Sequence, residues 1–136
     1  FDETAKKDFL KGAKIAYEAI ITDFANGNLK NIKYLLDKKV FEQFSQALKE
    51  RNEKGYVSET TFIGINSAEI KQHNLNNNIL EVTVNFVSEI ISCTKDKNDK
   101  ILLGDPEKVK RVHDTWKFSK DSRSNNPNWL LIDTQI

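Results

Sequence analysis

The hydrophobic positions of this chain follow one period in its first third and another afterwards. From about Thr4 to Asn26, Phe9, Leu10, Ala13, Ala16, Tyr17, Ile20, Ile21 and Phe24 fall on one arc at about 100° per residue. Gly12, Ile15 and Ala19 widen the arc, and Lys7, Lys11, Lys14 and Glu18 are left on a narrow strip. An apolar arc this wide predicts a helix that touches more than one neighbour. Asn26-Gly27 ends it, because glycine takes the left-handed conformation after a helix without steric penalty. Asn28 is placed to cap a short second helix through Leu29, Ile32, Leu35 and Leu36. Asp37 is placed to cap a third through Val40, Phe41, Phe44, Ala47 and Leu48, which Gly55 stops.

Beyond Gly55 the period becomes two. Val57 to about Asn74 is rich in β-branched residues, and Gly64 marks a bulge or bend within it. Asn76-Asn-Asn78 predicts a turn, since asparagine tolerates positive φ. Ile79 to Thr94 predicts the longest strand, with Leu80, Val82, Val84 and Phe86 on one face and Glu81, Thr83 and Asn85 on the other. Lys95 to Lys100 is a solvated tip, and Asp105-Pro106 begins a connector. Val109 to about Lys120 is a third strand, carrying Val112, Asp114, Trp116 and Phe118 on one face, and Asn128 to Asp133 is a fourth. These last two strands, each with a tryptophan, form a terminal antiparallel pair. Helices followed by strands in meander spacing predict an α+β domain, with helices packed on one face of an antiparallel sheet of four strands.

Composition narrows the function classes. A net charge of +1 over 136 residues gives no global basic field, so nucleic acid is not the first-choice partner. The single cysteine, Cys93, excludes an internal disulfide. His73 and His113 are too few and too far apart for a metal cluster, and no cofactor motif is present. No run approaches the ~18 apolar residues of a membrane span, so any anchor is expected upstream of Phe1, in a longer protein of which 1–136 is one domain.

Three features could carry chemistry. Asp114, on an apolar strand face, is either a general base with a raised pKa or an acid fixed by a backbone amide, an arginine or the Trp116 indole. Cys93, at the end of an apolar strand with no histidine in a recognisable relation to it, reads as a buried, inert thiol. Lys7, Lys11 and Lys14 beside a broad apolar arc fit an interfacial membrane helix as well as a core helix with a solvated face.

The chain also resembles a known family. Phe9-Leu-Lys-Gly-Ala-Lys-Ile-Ala-Tyr-Glu-Ala-Ile-Ile21 looks like the opening helix of the Tim44-like domain family. The likeness continues through Glu59-Thr-Thr-Phe-Ile-Gly-Ile65 and Val82-Thr-Val-Asn-Phe-Val-Ser-Glu89. It ends in Gly104-Asp-Pro106, Asp114-Thr-Trp-Lys-Phe118 and Asn126-Pro-Asn-Trp129, so it covers about Phe9 to Thr134. Within the family the chain looks most similar to bacterial, TimA-type members. The resemblance implies the curved cone shared with NTF2-like domains, with an apolar pocket beneath the helices. It implies a non-enzymatic adaptor at the bacterial inner membrane, on an unspecified side, and it carries over no catalytic residue. Its implied partners are anionic, cardiolipin-like lipid and a membrane or chaperone protein.

On that basis Phe24, Phe41, Phe44, Phe62, Val84, Phe86, Trp116 and Phe118 are expected to form the pocket, and Lys7, Lys11 and Lys14 the membrane contact. Two other readings stay open. One is an NTF2-like enzyme using Asp114. The other is a ribosome- or RNA-binding module using Lys108, Lys110, Arg111 and Lys117.

Overall fold

The computed structural model describes residues 1–126 and 128–134; Pro127 of the Asn126-Pro-Asn-Trp motif lies outside them. Helix α1 spans Glu3–Ala25, α2 spans Leu29–Ile32 and α3 spans Lys38–Glu53. Strands β1 (Val57–Asn76), β2 (Ile79–Lys95), β3 (Ile101–Gly104), β4 (Lys110–Asp121) and β5 (Leu130–Asp133) follow. The chain is α+β, with helices first and an antiparallel sheet after them.

Helix α1 is started by Asp2, whose side chain accepts from the Ala5 amide at 2.8 Å. Its buried residues Phe9, Ala13, Ala16, Tyr17 and Ile20 recur at the three- and four-residue spacing of one helix face. Gly27, at φ 77°, ends the segment as its sequence predicts. Asp37 caps α3 by accepting from the Val40 amide at 2.8 Å. Asn28 precedes α2 but makes no side-chain cap bond, and the run tightens into a 3-10 turn at Lys33–Leu35. That tightening brings Leu36 alongside Leu131, and the Asp37 amide donates to the Leu131 carbonyl at 3.0 Å.

In the sheet, β2 is central. It pairs with β1 along its whole length on one edge, and with β4 and then β3 on the other; β5 closes the far side of β4. Strand β3 was not expected, because the four residues Ile101–Gly104 are too few for a recognisable alternation. Register shifts at Phe62/Gly64, Ile65/Ser67 and Ile70/Gln72 add residues to β1 relative to β2. Such bulges bend the bulged strand and increase its twist, which is how this sheet curves. Asn77 and Asn78 at φ 50° and 69° make the tight β1–β2 turn. Trp129 lies just before β5 and not within it.

The core fills the concave face between α1 and the sheet. Val82, Val84, Phe86, Trp116, Phe118 and Leu131 meet Phe9, Tyr17 and Ile20 there. Thr83, expected outside, is buried as well. It sits on the central strand between Gln72 and Lys117, whose long stems flank it in register. Cys93 is a buried free thiol.

Candidate functional site

Two places bring polar groups into this aromatic interior. The first is built on Tyr17. Its position on the buried face of α1 aims the ring at the sheet, where it stacks on Phe86 at 4.2 Å and lies 4.7 Å from Trp116. The phenol donates to Asp114 Oδ2 at 2.6 Å and stands 2.9 Å from Ser88 Oγ. Ser88 lies on β2, one step beyond the alternation of Val82, Val84 and Phe86. Asp114 lies on β4 opposite Phe86. The partner that fixes Asp114 is therefore a helix phenol, and not the amide, arginine or indole expected from sequence. Burial, reinforced by the Asp114 carboxylate, pushes the Tyr17 pKa well above its ordinary value. A phenol held protonated in this way serves as a hydrogen-bond donor. His113, adjacent to Asp114 in a strand, is exposed on the other face. Among the described residues no group of three His, Cys, Asp or Glu could hold a metal ion.

The second place is a cleft of about 200 Å³ where the C-terminal half of α1 meets α3 and the sheet. Phe24 and Phe44, with ring centroids 4.8 Å apart, form one wall, and Ile20, Ile90 and Trp116 line it further in. Arg51, in the last turn of α3, stands at its edge with its guanidinium 6.0 Å from the Phe24 ring centroid. The Arg51 Nε is buried without a hydrogen-bond partner among the described residues. Burial lowers the Arg51 pKa, though a guanidinium stays charged in proteins. The cleft thus joins aromatic and aliphatic walls to a cation that pairs with no carboxylate among the described residues.

Of the eight residues expected to form a pocket, Phe24, Phe44 and Trp116 meet at this cleft. Val84, Phe86 and Phe118 are wholly buried in the core, where the Tyr17 ring packs against Phe86. Phe62 is half-buried with its ring 6.1 Å from that of Tyr17, and Phe41 is half-buried with the Lys33 ammonium 5.1 Å from its ring. Lys7, Lys11 and Lys14 are all exposed, and Lys7 lies beside a surface recess it shares with Ile70 and His73. Sequence reasoning missed Tyr17, Ser88 and Arg51. Ser88 was within reach, since one more step of the β2 alternation places it on the buried face. Arg51 carried no signal, because a cation in the last helical turn is ordinary.

Helices on the concave face of a curved antiparallel sheet, with an apolar cleft at one end of that interface, define an α+β domain of helices on a curved sheet. The model of the Tim44-like domain family matches residues 3–136, and the chain belongs to that family. It is 22% identical over 120 residues to "Probable mitochondrial import inner membrane translocase subunit tin-44" of Caenorhabditis elegans. That match covers 86% of this chain but only 28% of the relative's length. The fold is also similar to the crystal structure of the intermembrane space region of the chloroplast protein ARC6. There the TM-score is 0.58 at 12% identity, with 99% of this chain and 95% of that one covered.

Proposed function

We propose that this chain is a non-enzymatic binding domain that works at the bacterial inner membrane as an adaptor, in the manner the translocase relative's name implies. The observation that carries the reading is the Phe24–Phe44–Trp116 cleft with Arg51 at its edge. Its walls suit the apolar part of an amphiphile or an amphipathic segment, and its unpaired cation suits an anionic end. Phe62 and Phe41 pack against the core and do not line the cleft. Lys7, Lys11 and Lys14 form the second element, a cationic strip that meets an anionic, cardiolipin-like lipid surface. The Tyr17–Ser88–Asp114 arrangement weighs against the enzyme reading, because it uses the candidate acid to hold helix and sheet together. Among the described residues no helix is long and apolar enough to cross a membrane, which suits a peripheral contact.

An anionic apolar dye such as anilinonaphthalene sulfonate tests the cleft. It is expected to fluoresce on the native protein, to be displaced by a long-chain carboxylate, and to be lost in Phe44→Asp. Dye binding that Phe44→Asp leaves intact would exclude the cleft as the site. Flotation with anionic vesicles that survives the triple Lys7→Glu, Lys11→Glu, Lys14→Glu change would remove the helix strip from the membrane contact.

A further inference from the structure

The two ends of the sheet are finished differently. At one end β5 is covered: Leu36 bridges to Leu131, and the Asp37 amide donates to the Leu131 carbonyl. At the other end β1 is the last strand. Its inner edge pairs with β2 from Val57 to Asn76. Among the described residues no backbone hydrogen bond joins its outer edge to another element. Such an edge presents amides and carbonyls ready to pair with another strand.

Most of this edge is protected. Register shifts at Phe62/Gly64, Ile65/Ser67 and Ile70/Gln72 break its regularity, and bulges turn an edge away from intruding strands. The run before the first shift lacks that protection. Val57 to Phe62 pair with Lys95 to Ile90 without a break. The run holds no proline, and its single charge, Glu59, is held by Lys95 at 3.3 Å.

The side chains of this run alternate. Ser58, Thr60 and Phe62 are half-buried on the concave side, where Ser58 and Thr60 border the cleft. Val57, Glu59 and Thr61 are exposed on the convex side, and Ile63, at the first bulge, is exposed as well. Val57 and Ile63 are 54% and 53% exposed, and neither packs against the core.

Thr60 is the midpoint between these two aliphatic residues. An antiparallel partner related by a two-fold axis at Thr60 sets Thr60 opposite the partner's Thr60 and Val57 opposite the partner's Ile63. Ile63 then meets the partner's Val57. Cross-strand pairs of this kind stabilise a ladder. Ser58 meets the partner's Phe62 and Glu59 meets the partner's Thr61, so no like charges face each other. Other registers fit less well. A one-residue slip faces inward side chains with outward ones. A two-residue slip sets Glu59 against the partner's Glu59 or the partner's Ile63, and separates the aliphatic pairs.

We propose that β1 pairs with β1 of a second copy across Thr60, so that two domains share one continuous sheet. The contact is isologous and closes as a dimer. It satisfies backbone groups that β1 leaves open, and it covers two aliphatic side chains that the fold leaves bare. A strand of another protein meets the same edge, but gives no reason for the equal spacing of Val57 and Ile63 about Thr60. The pairing does not depend on what the cleft binds.

Sedimentation velocity between about 1 and 500 µM tests it, and a monomer–dimer equilibrium is expected. Val57→Lys with Ile63→Lys places lysines opposite each other at both ends of the run. It should weaken the dimer about tenfold or more. Val57→Lys with Ile63→Glu changes the same two positions but sets opposite charges together, and should hold the dimer within a few-fold of native strength. Both positions are exposed, so an unchanged circular dichroism spectrum is expected of each variant. Thr60→Cys in a Cys93→Ala background should form a disulfide-linked dimer with diamide as oxidant, since Cβ atoms directly opposite lie about 4.5–5.5 Å apart. Glu69→Cys in that background should not. A monomer at every concentration would overturn the proposal and leave the edge to a strand of another protein. So would dimers of equal strength in the lysine–lysine and lysine–glutamate variants, or a link at Glu69→Cys and none at Thr60→Cys.

Discussion

The Tyr17 tie and the Arg51 cleft set polar groups against the same indole with opposite outcomes. Tyr17 lies 4.7 Å from Trp116, and its hydroxyl finds two partners on two strands. Arg51 borders a cleft lined by that same Trp116, and its Nε finds none. A buried polar group with partners locks the parts that supply them, while one without carries a desolvation cost that a ligand can relieve. The first therefore fixes how α1 sits on the sheet, and the second is where the interface remains open. The difference is one of satisfaction and not of polarity.

Because Trp116 serves both regions, Trp116→Ala should break the comparison most severely. Truncating a buried tryptophan costs about 3–5 kcal/mol, and the change should also merge the cleft with the space around Tyr17. Chemical denaturation would measure it, and a loss under about 1 kcal/mol would mean the indole is not shared core. Tyr17→Phe comes next. It keeps the ring stack on Phe86 and removes the hydrogen bond to a carboxylate, which is worth about 1.5–3 kcal/mol. Its effect should depend on pH in a defined direction. The folded-state phenol pKa is raised, so the stabilisation is intact below the unfolded value of about 10 and is lost as pH climbs beyond it. The melting-temperature gap between native and Tyr17→Phe proteins should hold through neutral pH and narrow above about pH 10. A gap that stays constant would show that the phenol is not sealed. Ser88→Ala should cost less, about 1 kcal/mol, since it removes one neutral hydrogen bond and leaves the Asp114 contact in place.

The same contrast explains what could be read from sequence. The helical arc, the Asp37 cap, the Gly27 stop and the alternation of Val82, Val84 and Phe86 are local properties, and each appears where its period places it. The resemblance led to the correct family through motifs in order. The tie could not be read, because Tyr17 and Asp114 are 97 residues apart and only the sheet register brings them together. Asp114 was open to two readings, a general base or an acid fixed by an amide, an arginine or the Trp116 indole, because its donor lay on a helix whose tyrosine counted merely as apolar. Strand β3 was invisible because its residues are apolar without alternation, which is also why its exposed leucines attracted no notice.

Arg51→Met is the smallest expected effect and the sharpest test of the contrast. If the guanidinium were a structural partner, removing it would cost as much as breaking the tie. Because among the described residues its Nε has no partner and no carboxylate pairs with it, the methionine should lose only the contact with the Phe24 ring. It should also relieve the cost of burying an unsatisfied group. These contributions oppose each other, so stability should change by less than about 1 kcal/mol in either direction. Affinity for an anionic amphiphile should fall while that for a neutral one of the same chain length does not. A variant that unfolds easily would make Arg51 part of the scaffold. One that is stable yet binds both amphiphiles as before would leave the cleft apolar in function, with its charge incidental.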